Sequence, residues 1–204
     1  QTAIQNTSTI GEISGGTISG GGRAIYNSSW KDGAEEYIGT ITIKDGAVIK
    51  GGINNTNWGG SSNTVTQFAK TTIEGGKISG SLTDDGLSAS GCQIVISGGY
   101  FTADPTSYLV SGKDAVASNQ DGYQYMVGTL ALSQQTLALT KGGEAVLSVN
   151  AEPWGAVPAS AVSWSSDNEA VAAVDNGTVT AAAPGTATIT AEVNGKSLTC
   201  SVTV

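Results

Sequence analysis

The chain has 204 residues, room for one large or two ordinary domains, and its 39% hydrophobic content argues against global disorder. Only 13% of residues are charged and 29 are glycine, in a background of Thr, Ser, Val and Ile that favours strands and tight turns over helices. A net charge of −8 with a single arginine (Arg23) argues against a nucleic-acid or anionic-lipid surface, and the lack of histidine removes Ser-His-Asp and Cys-His catalysis and most zinc sites.

From the start of the chain to about residue 103, one phrase recurs four times. Its pattern is I-x-[GD]-G-x-[IVF], opening at Ile13, Ile43, Ile73 and Ile96, with spacings of 30, 30 and 23 residues. Each phrase holds an apolar β-branched residue, a turn with Gly in its second place, and a second apolar residue. Gly can take positive φ without a Cβ penalty, so the chain can corner sharply there. A period of this length fits one coil of a short right-handed parallel β-helix of about four coils. Stacked coils predict two interior columns, Ile13/Ile43/Ile73/Ile96 and Ile18/Val48/Ile78/Phe101.

Between these phrases lie "IYNSSW" at 25–30 and "INNTNW" at 53–58. In the coil register Ile25, Ile53 and Leu82 correspond, followed by Asn27, Asn55 and Asp84, then Trp30, Trp58 and Leu87. The Asn-Asn-Asp set predicts a ladder of stacked polar side chains. Leu87 in the third tryptophan position predicts a partly apolar, packed column.

Residues 104–128 are expected to cap the repeat. Asp104-Pro105-Thr106 starts a single helical turn, with Asp104 as its cap, and Gly112 stops it. Asp121-Gly122 reads as a hairpin turn. The stretch "ISGGYFTADPTSYLVSGKDAVASNQDGYQYMV" resembles the terminal coil and cap of repetitive surface proteins of gut-type Gram-positive bacteria.

From about 129 the double-glycine turns disappear and period-2 alternation begins. Ala187, Ile189, Ala191 and Val193 alternate with Thr and Glu, as Leu198, Cys200, Val202 and Val204 do with Thr and Ser. Short strands separated by turn signals predict a β-sandwich over residues 129–204, after a first domain over 1–128. The segments Trp164-Ser165-Ser166-Asp167-Asn168, Asp175-Asn176-Gly177, Pro184-Gly185-Thr186-Ala187-Thr188-Ile189 and Val202-Thr203-Val204 resemble the group 2 bacterial immunoglobulin-like domain of invasin- and intimin-type adhesins. Trp164 is expected as a core plug. Cys92 and Cys200 are expected as free buried thiols, since two distant cysteines make no disulfide framework.

No catalytic residue, metal site or cofactor is expected. Asp84-Asp85 is read as a turn with solvated acids, because the further carboxylates and bases of a polysaccharide hydrolase or lyase are missing. Arg23 and Lys44 are read as surface charges. The N-x-[ST] matches at Asn6, Asn27, Asn54 and Asn176 are read as incidental. No apolar run approaches the roughly 20 residues of a membrane span, so no membrane insertion is expected. The start at Gln1 suggests a piece of a longer chain with additional domains.

The expected function is a non-enzymatic extracellular binding or display protein of adhesin type. The repeat would present a face to a surface glycan or protein, and the immunoglobulin-like module would act as a spacer. Tyr26, Trp30, Asn54, Asn57 and Trp58 are the candidate ligand-binding residues, since aromatics interspersed with amides suit sugars. A phage fibre or capsid-decoration protein is the alternative, and a polysaccharide-active enzyme or accessory module a further one.

Overall fold

A β-branched residue on each side of a glycine turn favours two extended segments meeting at a corner, and the first strands of the chain follow that rule. The computed structural model describes residues 1–32, 34–58, 67–85 and 93–204, with backbone alone for Asn57, Trp58 and Asp85. The protein is all-β, with two compact units: residues 1–115 with 120–127, and residues 116–119 with 128–204.

The first unit carries β1 (Thr2–Asn6), β2 (Thr9–Ile13), β3 (Gly16–Asp32), β4 (Glu35–Ile38), β5 (Thr40–Ile43), β6 (Ala47–Trp58), β7 (Lys70–Ile73), β8 (Lys77–Ser79), β9 (Leu82–Asp85), β10 (Gln93–Ile96) and β11 (Gly99–Phe101). Strands β10, β7, β5 and β2 form one parallel sheet in that order. Its register sets Ile13 beside Ile43, Ile43 beside Ile73 and Ile73 beside Ile96, as the repeat predicts. In the other sheet β1, β3 and β6 run parallel, and β6 pairs with β8 through its first half and with β9 through its second.

The second predicted column needs a correction. Ile18 lies beside Ile49, Ile49 beside Ile78, and Ile78 beside Phe101, while Val48 pairs with Thr17 and Lys77. Ile49 is fully buried and Val48 only half-buried. The phrase from Ile43 contains one residue more than the others before its second core position. That residue is absorbed in the turn closed by Ala47 N–H donating to Lys44 O at 3.3 Å. A one-residue slip turns every following side chain to the opposite face.

A third column runs Ile4, Ile25, Ile53 and Leu82, so β1 adds a rung to the expected three. All three columns contribute to one core containing Ile25, Ile43, Ile49, Ile53, Ile78 and Phe101. Each such side chain contributes roughly 1.5–3 kcal/mol by leaving water. The bend within β6 falls at Gly51, with φ of 127°. A Cβ there would stand 2.6 Å from Gly20 O, and one on Gly80 would strike the Gly51 backbone. Backbone stacks on backbone at this corner, and only glycine fits.

The expected helical turn is a 3-10 turn at Thr106–Tyr108. Its cap is Pro105 rather than the expected Asp104, which stands one residue earlier and accepts the Thr106 N–H on Oδ1 at 2.9 Å. Between β12 (Asp114–Ala117) and β13 (Tyr125–Leu132), Tyr123 N–H donates to Gln120 O at 2.9 Å. This sets Asp121-Gly122 at the centre of a turn, as expected. The start of β13 then pairs antiparallel with β11, Phe101 opposite Tyr125, and covers an edge that would otherwise invite association.

The second unit contains β14 (Thr136–Ala138), β15 (Glu144–Val146), β16 (Val149–Glu152), β17 (Gly155–Ala156), β18 (Ser163–Ser166), β19 (Ala172–Asp175), β20 (Thr178–Ala181), β21 (Thr186–Val193) and β22 (Lys196–Thr203). Sheets β14-β22-β21-β18 and β15-β20-β19 share one core, to which Ile189, Cys200 and Val202 contribute from the first and Ala172 and Val179 from the second. Period-2 alternation in β21 and β22 produces this inward face. Trp164 is half-buried against the core, so it packs as expected. Cys200 is a buried free thiol, whereas Cys92 and Leu87 lie outside the described residues.

Candidate functional site

Strand β3 has two faces with different chemistry between Ile25 and Trp30. Its inward face carries Asn27, fully buried in register with Asn6, Asn55 and, one strand further, Asp84. Asn6 Nδ2 donates to Asn27 Oδ1 at 2.8 Å. Asn27 Nδ2 lies 3.3 Å from Asn55 Oδ1, 3.0 Å from Gly39 O and 3.1 Å from Lys70 O. Asn55 Nδ2 donates to Gln93 O at 2.7 Å, and Asp84 Oδ2 accepts the Ile94 N–H at 2.9 Å. The amides tie one strand of each repeat to the segment that returns beside it, satisfying backbone groups at a buried corner.

Asp84 is therefore part of the ladder, at the end of β9 and half-buried, which corrects its reading as a solvated turn residue. The side chain of Asp85 lies outside the described residues. Asn6 is the rung that sequence reasoning missed, because β1 lacks the glycine phrase that marks the other repeats. The buried amides of Asn6 and Asn27 are engaged in this network, so their N-x-[ST] matches are structural.

The opposite face of β3 presents Tyr26, Ser28 and Trp30, which alternation places on one side of the sheet. Gln5 pairs with Tyr26 across β1, and Asn54 pairs with it across β6. Trp30 is 36% exposed, and its ring stacks on Tyr37 at 4.8 Å and 16° between planes. Tyr37 is 41% exposed and comes from β4, which pairs antiparallel with β3 so that Trp30 stands opposite Tyr37. Lys31 and Glu36 approach to 3.6 Å in the same hairpin. The guanidinium of Arg23 lies 5.0 Å from the Tyr26 ring centre. Gln5, Thr7, Tyr26, Ser28 and Trp30 line a cleft of about 220 Å³.

The candidate binding residues are thus distributed unevenly. Tyr26 and Trp30 share the cleft, while Asn54 is buried beside Tyr26 and offers little surface. Trp30, 36% exposed and stacked on Tyr37, is more open among the described residues than the expected packed column. The backbone of Trp58 pairs with that of Trp30 as the repeat predicts, and that of Asn57 with Ser29. The side chains of Asn57 and Trp58 lie outside the described residues. Sequence reasoning missed Tyr37, Gln5 and Thr7. The Asp32-Gly33 dipeptide between Trp30 and Tyr37 was the available hairpin signal.

Lys44, its side chain 42% exposed, pairs with Glu12 at 2.8 Å, and its hydrogen bond to Glu12, with the Glu12 charge, raises the ammonium pKa. Among the described residues no group of three Cys, Asp or Glu side chains could hold a metal ion.

In the second unit, Ser166 Oγ donates to Ala172 O at 2.6 Å and Asp167 Oδ1 accepts the Thr188 N–H at 2.6 Å. These bonds explain the Ser-Ser-Asp-Asn segment: it fastens the end of β18 to β19 and β21. Two antiparallel-rich sheets over one core, with the first strand β14 parallel to the last strand β22, define an immunoglobulin-like sandwich. Residues 126–204 match the family model of the bacterial Ig-like domain (group 2), in keeping with that sandwich. No curated protein matches the chain.

Proposed function

We propose that residues 1 to about 103 form a short right-handed parallel β-helix capped by 104–128, and that the protein is a non-enzymatic extracellular binding or display protein. The repeat presents a sheet face to a surface glycan, and the bacterial Ig-like domain serves as spacer. Support for the solenoid reading comes from the parallel register of successive glycine phrases, each paired with the next. Its handedness follows the general preference for right-handed crossovers.

One observation carries the binding role: the solvent-facing Trp30–Tyr37 stack stands beside Tyr26 on the same strand as the buried amide ladder. The ladder fixes the strand while the aromatics remain available to a ligand. Flat aromatic surface next to short polar side chains suits a pyranose ring, which has a C–H face and a hydroxyl rim. An adhesin-type role places the protein outside the cell.

Glycan-array and whole-cell binding by the wild type and a Trp30→Ala/Trp58→Ala double variant tests this reading. Strong loss in the variant supports it, and unchanged binding removes both tryptophans from the role. Release of product from uronate or neutral polysaccharides, with and without calcium, would overturn the non-enzymatic assignment.

A further inference from the structure

We infer that the cleft between β1 and β3 is a recognition site for a single neutral hexopyranose at the end of a glycan. This deepens the glycan-binding reading above and rests on it. The site differs from the face first expected, because it uses Gln5 of β1 and Thr7 just after that strand rather than Asn54 and Asn57 of β6.

Three features select the ligand. The volume, about 220 Å³, lies below the roughly 300–1,000 Å³ of clefts that hold drug-sized ligands, so it suits one ring. All five lining side chains, Gln5, Thr7, Tyr26, Ser28 and Trp30, are uncharged. A carboxylated or sulfated sugar would gain no ion pair from them and would meet a chain of net charge −8, the nearby Arg23 guanidinium being placed over the Tyr26 ring. A neutral ring can place its C–H face on an aromatic wall and its hydroxyls against the amide and hydroxyl groups.

Spacing completes the argument. Tyr26 and Trp30 are four residues apart on one strand face, about 13 Å along the sheet, with small Ser28 between them. The two aromatics bound a short trough whose floor is the serine. Ser28 Oγ is turned to the backbone, donating to Asn6 O at 3.3 Å, so the floor is fixed. Tyr37 stacks on Trp30 and Arg23 lies over Tyr26, holding each wall before any ligand arrives. Pre-ordered walls reduce the entropy lost on binding.

Saturation-transfer NMR with methyl β-galactoside, methyl β-glucoside, methyl α-mannoside and methyl β-glucuronide tests the inference on the full chain. At least one neutral glycoside is expected to receive saturation, with the glucuronide several-fold weaker. Trp30→Ala and Gln5→Ala should each reduce affinity about tenfold or more, while Tyr37→Phe retains binding and Tyr37→Ala weakens it. Unchanged circular dichroism in Gln5→Ala, a surface truncation, separates loss of contact from loss of fold. Neutral-sugar binding that survives both truncations overturns the site, as does preference for the glucuronide or for a proline-rich peptide. A glycan-array signal without any glycoside binding sinks this cleft and leaves the wider reading intact. Silence in both assays sinks both.

Discussion

Gly39 lies so close to Asn27 that a Cβ at position 39 would collide with Asn27 Oδ1 and stand 2.5 Å from Ser28 O. The same glycine offers its carbonyl to Asn27 Nδ2 at 3.0 Å. A buried amide that joins four segments of chain therefore depends on the absence of a side chain twelve residues away.

Gly39→Ala should destabilise the first unit by forcing Asn27 out of the ladder, and Asn27→Ala should do so by deleting it. Asn27→Ala removes the acceptor of the Asn6 amide and a donor shared by the carbonyls of Gly39 and Lys70, although Gly39 O still accepts the Lys70 N–H at 2.8 Å; a buried group left unsatisfied costs about 1–3 kcal/mol. A combined loss of about 2–4 kcal/mol is expected, since relaxation and entering water recover part of it. Urea unfolding followed by circular dichroism measures this. A loss below about 1 kcal/mol in Asn27→Ala would mean that the ladder does not hold the repeat together.

Replacement of adjacent residues in β6 tests the register directly. Ile49→Ala removes a fully buried member of the second column and should cost about 2–5 kcal/mol. Val48→Ala, at a half-buried position between Thr17 and Lys77, should cost less than about 1.5 kcal/mol. The opposite ranking would restore the simple repeat register, with Val48 facing the core.

How much of this was readable beforehand depended on whether the repeat kept its phase. Ile13, Ile43, Ile73 and Ile96 open each phrase, ahead of the turn where the extra residue falls, so their column was predicted correctly. Asn27, Asn55 and Asp84 follow in phase from the next apolar position and were likewise found. Val48 was misplaced because one extra residue in the Lys44–Ala47 turn is invisible to pattern matching but reverses the facing of the strand. Tyr37 went unnoticed for a different reason. Its contact with Trp30 comes from an antiparallel return inside one repeat, which periodicity between repeats cannot report.

Alkaline pH should weaken the first unit through two tyrosines. Burial, then the Asp84 charge, raises the Tyr108 phenol above its ordinary value, and burial, then Asp45, does the same for Tyr100. A folded pKa above the unfolded one means that the folded state holds the proton more tightly. The stabilisation is complete below the ordinary value of about 10 and disappears as pH rises through the folded pKa. Tyr108 also donates to Leu82 O at 3.1 Å, a bond lost on ionisation. Urea midpoints from pH 8 to 11 should fall for the wild type and fall less steeply for Tyr108→Phe. Identical slopes would exclude Tyr108 as a contributor.

Cys200 offers a probe of the second unit that requires no engineered label. Its thiol is buried in the core formed with Ile189 and Val202, and burial pushes its pKa up. Disulfide reagents react with the thiolate, so the folded domain should protect Cys200 both by exclusion and by keeping it protonated. Modification in native buffer, located by peptide mass spectrometry, should proceed no faster than the opening of the domain and should accelerate with urea as the sandwich unfolds. Cys200→Ser should cost about 1–3 kcal/mol, because a hydroxyl would replace a thiol in an apolar site. Rapid native labelling would show that β22 separates from β21 and β14 without global unfolding, which its paired position between those two strands argues against.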